Sequence, residues 1–135
     1  MKAGGKILLV DDDPDFLEMH KAVLLNHGYE VLTAMSGREG LERVRAEMPD
    51  LIILDLMMEK HDAGFSFSKT LKTDPLFKRI PILMVTSVAE ATGYRFSLEE
   101  DGYWMKTDDF LDKPVLPSVL LDTVGRLLEK KDEKR

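Results

Sequence analysis

The sequence predicts an α/β domain built on a doubly wound, five-stranded parallel sheet with helices on both faces. Three observations carry this. Five short apolar runs recur along the chain, Lys6–Val10, Glu30–Ala34, Leu51–Leu54, Ile80–Val85 and Phe110–Leu111, as strands buried on both faces require. Most of the segments between them show helical periodicity and capping residues instead. The 135 residues suffice for one such domain and are too few for two. Strand–helix alternation of this kind implies right-handed crossovers and a sheet covered on both sides.

Each element has its own warrant. Lys6–Val10 is apolar after its first residue and stops at three aspartates. Asp13 then stands as a helix N-cap with Pro14 at the first helical position, and Phe16, Leu17, His20, Val23 and Leu24 follow at helical spacing. Gly28 closes that helix. Glu30–Ala34 is the second strand. Ser36 with Glu39 forms a capping-box signature for a helix through about Met48, and Pro49 follows its end. Leu51–Leu54 is the third strand, residues 64–73 a third helical stretch broken by Asp74-Pro75, and Ile80–Val85 the fourth strand. From Glu90 to Asp109 no clean period holds. Phe110–Leu111 is a short fifth strand, and Pro117–Lys130 a final helix with Leu120, Leu121, Val124, Leu127 and Leu128 inward. Residues 1–128 are expected to form the domain and 129–135 a solvated, frayed charged tail.

Composition narrows the function classes. With 44% hydrophobic and 33% charged residues the chain is globular, neither disordered nor membranous. No apolar run is long enough to span a bilayer, and the N-terminus does not read as a signal peptide. There is no cysteine, so disulfides and thiolate metal sites are out, and a cytoplasmic location is expected. A net charge of −6 speaks against direct nucleic-acid binding, which favours a basic face.

In open parallel sheets the functional crevice lies outside the carboxyl ends of the strands. Strand one ends in Asp11-Asp12, strand three in Asp55, strand four in Thr86-Ser87, and strand five leads to Lys113-Pro114. A single strand-end aspartate is commonly a turn or cap residue, and Asp13 is read that way. Acids at the ends of two strands repel unless a cation lies between them. Oxygen ligands with room for water suit Mg²⁺, with Mn²⁺ as an alternative. One carboxylate beside such an ion can attack phosphorus and form an acyl phosphate. Asp55, alone at the end of the central strand, is the best candidate nucleophile; Lys113 and the Thr86 hydroxyl can neutralise the phosphoryl oxygens.

Four blocks, 6–14, 49–58, 80–87 and 110–114, resemble in order the response-regulator receiver family of two-component signalling. The resemblance runs from about Lys6 to Leu128. It implies a flavodoxin-like fold with sheet order 2-1-3-4-5 and about five helices. It further implies that Asp55 is the phosphoacceptor, that Asp12 binds Mg²⁺ directly, Asp11 through water and Met57 through its backbone carbonyl. Lys113 would hold the phosphoryl oxygen, Thr86 would bond it after phosphorylation, and Phe110 would occupy the place of an aromatic that turns inward behind Thr86. The implied donor is a phosphohistidine on a sensor kinase or phosphotransfer protein. The implied output is altered binding of a downstream protein, with no direct nucleic-acid or membrane contact and a monomer or weak dimer as the unit. No effector domain follows the last helix, so output is expected elsewhere. Beyond its own phosphorylation and dephosphorylation, no enzyme activity is expected.

The chain departs from the family pattern in two regions. Glu59 stands where a proline is usual, and Asp62-Ala63-Gly64 carries an extra residue. The stretch between Thr86 and Lys113 is longer than usual and holds Tyr94, Phe96, Tyr103 and Trp104; these either pack an irregular segment on the sheet edge or present a partner surface. Met57 and Val88, at positions that influence hydrolysis of the acyl phosphate, are apolar and cannot orient water, so slow self-dephosphorylation is expected. Two other functions compete: a phosphorylation-independent binding module on the same fold, and an aspartate-nucleophile hydrolase of the haloacid-dehalogenase kind. The latter class places a second aspartate two residues after the nucleophile, where this chain has Met57. His20, His27 and His61 are scattered; the plain reading of His20 is a helix-surface histidine, the alternative a phosphohistidine.

Overall fold

The computed structural model describes residues 5–55, 70, 71, 73–87, 109–113 and 115–133. Strands β1 (Lys6–Val10), β2 (Glu30–Ala34), β3 (Leu51–Leu54) and β4 (Ile82–Ser87) form a parallel sheet in the order β2-β1-β3-β4. The backbone of β5 (Asp109–Lys113) runs parallel beside β4, with Leu83 level with Asp109 and Ser87 level with Lys113. Among the described residues three helices accompany the sheet, α1 (Pro14–Asn26), α2 (Gly37–Glu47) and α3 (Pro117–Glu133). The architecture is the flavodoxin-like parallel α/β fold.

Strand alternation sends each strand's side chains to two faces. Ile7, Leu9, Leu51, Ile53, Leu83 and Val85 pack with Phe16, Leu17 and Leu24 of α1 and with Leu120, Val124 and Leu127 of α3. Leu8, Val10, Ile52, Leu54, Ile82 and Met84 pack on the other face with Val44 of α2 and with Leu71, Phe77 and Ile80. All twelve of these strand side chains are at most 1% exposed. Burial on both faces explains why these strands show no polar alternation.

The caps form as the residues demand. Asp13 accepts from the Asp15 amide at 3.0 Å, and Pro14 opens α1. Gly28 follows the C-cap residue His27 with φ +89°, a region open to glycine. The Ser36 hydroxyl accepts from the Glu39 amide at 3.1 Å. The Glu39 carboxylate reaches back to the amide of Met35, at 2.9 Å, one residue before the cap.

Three boundaries differ from expectation. The second helix ends at Glu47, because Met48 takes the left-handed conformation with φ 47°. The fourth strand spans Ile82–Ser87, two residues later than expected: the Ile80 amide is taken by a turn to the Phe77 carbonyl, and Pro81 has no N–H to offer a ladder. Backbone helix continues to Glu133, past Lys130, through a run whose charges do not oppose a solvated helix. The third helical stretch over 64–73 lies mostly outside the described residues; Thr70 and Leu71 are helical.

Candidate functional site

The site is created by strand register. Val10 of β1 is level with Leu54 of β3, so the next residues, Asp11 and Asp55, leave adjacent strands side by side. The ladder extends one bond past each strand: the Asp11 amide donates to the Ala34 carbonyl and the Asp55 amide to the Val10 carbonyl, both at 3.0 Å. Both carboxylates therefore hang from backbone fixed by the sheet. Asp11 is 1% exposed and Asp55 7%, while Asp12 is exposed. One oxygen from each of the three lies within 4.8 Å of the others.

Such crowding has an electrostatic cost. Two ionised carboxylates at that separation repel by roughly 3–4 kcal/mol at an effective dielectric of about 20, and a cation between them reverses the sign. The donor set is all carboxylate among the described residues, without His or Cys, which suits a hard divalent ion rather than Zn²⁺. Oxygens around Mg²⁺ at about 2.1 Å stand ~3 Å apart when adjacent and ~4.2 Å when opposite. The three carboxylates are therefore close enough to share one such ion, directly or with one of them acting through water. These three residues fit Mg²⁺.

The loop carrying two of them is ordered by hydrogen bonds. The Asp13 amide donates to Asp11 Oδ1 at 2.9 Å, which orients that carboxylate from behind. Asp13 itself is committed to capping α1, as its sequence position predicted, and is not in the cluster.

Sequence reasoning brought Asp11, Asp12 and Asp55 together, and the fold does so. Thr86 and Lys113 stand at the same carboxyl edge by backbone position, Thr86 level with Asp112 and Lys113 level with Ser87, and Phe110 is level with Met84. The contacts expected of the Thr86, Phe110 and Lys113 side chains lie outside the description. So do Met57, Val88, the 59–64 region and the aromatics Tyr94, Phe96, Tyr103 and Trp104. One expectation is corrected. His20 is not a helix-surface histidine; it is 3% exposed and faces the core beside Phe16. The signal was present, since His20 falls four residues after Phe16 and four before Leu24, on the inward stripe of α1. Its polarity argued for the surface, and periodicity decided otherwise.

Residues 7–125 match the family model described as response regulator receiver domain. The chain is 33% identical over 127 residues to Protein PilH of Pseudomonas aeruginosa, covering 92% of this chain and 98% of PilH. It is 35% identical over 127 residues to the alkaline phosphatase synthesis transcriptional regulatory protein PhoP of Bacillus subtilis, covering 94% of this chain but 50% of PhoP. The crystal structure of the signal receiver domain of a signal transduction histidine kinase from Syntrophus aciditrophicus superposes with a TM-score of 0.81 at 34% identity, covering 94% of this chain and 92% of that one. No helix among the described residues is long and apolar enough to cross a membrane. A parallel sheet whose first and third strands end in a shared carboxylate cage, with this breadth of likeness, makes the chain a member of the response-regulator receiver domain family.

Proposed function

We propose that this receiver accepts a phosphoryl group onto Asp55 from a phosphohistidine of a sensor kinase or phosphotransfer protein, and that the modification switches binding of a downstream protein. The observation that carries this is the triad of carboxylates within 4.8 Å, with the buried Asp55 at the end of the central strand β3. A carboxylate oxygen of Asp55 attacks phosphorus in line; the P–O bond forms as the P–N bond to the donor imidazole breaks, and that ring leaves with its electron pair. Bound Mg²⁺, or Mn²⁺ in its place, supplies charge neutralisation for the phosphoryl oxygens. Asp11, Asp12 and Asp55 would hold it, with the backbone carbonyl of Met57 as a further ligand. Lys113 takes a phosphoryl oxygen and Thr86 bonds it once Asp55 is modified.

The signal arises because the adduct adds roughly −1.5 to −2 charge and strong acceptors beside carboxylates. Thr86 and Lys113 are drawn toward it from the ends of β4 and β5, and Phe110 fills the space behind Thr86, a shift between two populated states. The protein takes the group onto itself and turns over no separate substrate. Met57 and Val88 leave the adduct without a water-orienting neighbour, so it is long-lived. The complete sheet in this reading is five-stranded, 2-1-3-4-5, with about five helices, the domain ends in the charged end of α3, and the unit is a cytoplasmic monomer or weak dimer.

Incubation with acetyl phosphate and Mg²⁺, with and without EDTA, followed by intact-mass analysis, tests the proposal. One added phosphoryl group on the wild type, lost with EDTA and absent from Asp55→Asn, is expected. An unmodified wild-type mass, or an adduct that persists in Asp55→Asn, refutes it.

A further inference from the structure

Among the described residues, receiver chemistry gives the buried His20 side chain no task. His20 lies 3% exposed in α1, on the helix stripe shared with Phe16, Leu17 and Leu24. Its Nδ1 is 3.0 Å from the Phe16 carbonyl oxygen. A carbonyl only accepts, so Nδ1 carries the proton and donates. The two rings stack, centroids 4.1 Å apart and planes 29° from parallel. Nε2 is buried and has no hydrogen-bond partner among the described residues. An unsatisfied nitrogen in an apolar core lowers stability, and a leucine would fill the place without that cost. A core position where, among the described residues, nothing compensates the Nε2 atom points to a function nearby.

The nearby function is the cation cage. Phe16 belongs to the first turn of α1, which begins at Asp13. The Asp13 carbonyl accepts from the Leu17 amide at 3.1 Å, and the Asp13 amide donates to Asp11 Oδ1 at 2.9 Å. Whatever holds the first turn therefore holds the Asp13 amide, and through it the Asp11 carboxylate. The bond from His20 to the Phe16 carbonyl and the ring stack tie the second turn of α1 to the first.

We infer that His20 is a positioning residue for the cation site, clamping the first turn of α1 so that Asp11 stays aimed at Asp12 and Asp55. This rests on the Mg²⁺-binding reading of the cluster. Outer partners of metal ligands change affinity by about 10- to 100-fold when lost, and His20 acts one link further out, so about three- to tenfold is expected here.

The test compares wild type, His20→Leu and His20→Asn by calorimetric Mg²⁺ titration and by urea unfolding in EDTA. Leucine keeps the apolar volume and removes the donor; asparagine keeps a donor near the place of Nδ1. His20→Leu is expected to unfold at the same or a higher urea concentration than wild type while binding Mg²⁺ about three- to tenfold more weakly, and His20→Asn to recover part of the lost affinity. If His20→Asn does not fold, His20→Phe replaces it, keeping the stack without the donor and expected to bind as weakly as His20→Leu. Equal affinity in wild type and His20→Leu overturns the inference. So does a joint loss of stability and affinity, which general damage to α1 would cause, and so does an asparagine variant that recovers nothing. A wild type that binds no Mg²⁺ refutes the metal reading itself, and is recognised before any variant is made.

Discussion

Helices α1 and α2 cover opposite faces of one sheet, and they are built to different standards. α2 follows the local rules at its start and along its face: Ser36 caps it, Glu39 reaches back across its start, and Gly40 and Val44 are the residues it buries. α1 is equally well capped by Asp13, yet it carries a histidine into the core, one of whose nitrogens has no hydrogen-bond partner among the described residues. α2 leads from β2 to β3, and its cap Ser36 bonds within its own helix, to the Glu39 amide. α1 starts two residues after Asp11 and Asp12 finish their work, and its cap residue bonds to Asp11. The contrast is that the first turn of α1 also holds a carboxylate of the charged site, so its residues answer to more than packing.

The comparison can be broken from either side. The largest effect expected is on the shared core. Leu24→Ala on the α1 face and Leu71→Ala on the other, both at most 1% exposed, should each lower unfolding free energy by about 2–5 kcal/mol, read from urea denaturation. A loss below about 1 kcal/mol on one face would mean that face is loosely packed. Next in size is metal linkage. Mg²⁺ at a hundred times its Kd should add about 2.7 kcal/mol to wild-type stability. That increment should largely vanish in Asp55→Asn and survive in a variant of the α2 face such as Val44→Ala; its survival in Asp55→Asn would remove Asp55 from the cage.

Loss of either cap comes third. Ser36→Ala and Asp13→Ala should each cost about 1 kcal/mol, but only the second should also alter Mg²⁺ affinity, measured by titration calorimetry. Equal Mg²⁺ affinity in the two variants would dissolve the distinction between the helices. The smallest effects are at glycines. Gly28 has φ +89°, so Gly28→Ala should destabilise by about 1 kcal/mol. Gly125 lies inside α3 with nothing within 4 Å of a built Cβ, so Gly125→Ala should stabilise by about 0.5–1 kcal/mol. Thermal melts resolve both signs.

Much of the fold is legible because its signals are local or short-period. Leu51–Leu54 needs no neighbour to be read as a two-sided strand, and Asp13-Pro14 and Ser36 with Glu39 announce helix starts in a few residues. The site was legible for a related reason: once strands are parallel and their ends known, residues just past those ends must share an edge. The errors lie where two local signals compete. At Ile80-Pro81 the apolar run continued while proline removed the donor a ladder needs. At His20 polarity opposed periodicity.

Residue pattern alone established the alternation of strands and helices, the caps, and the identity of the acids that meet at the sheet's edge. What it could not establish is lateral: that Val10 is level with Leu54, so that Asp11 and Asp55 become neighbours, and that Asp12 turns outward while Asp11 is almost wholly covered. Register, burial and hydrogen-bond satisfaction are properties of surfaces brought together from distant parts of the chain, and no window of sequence contains both surfaces.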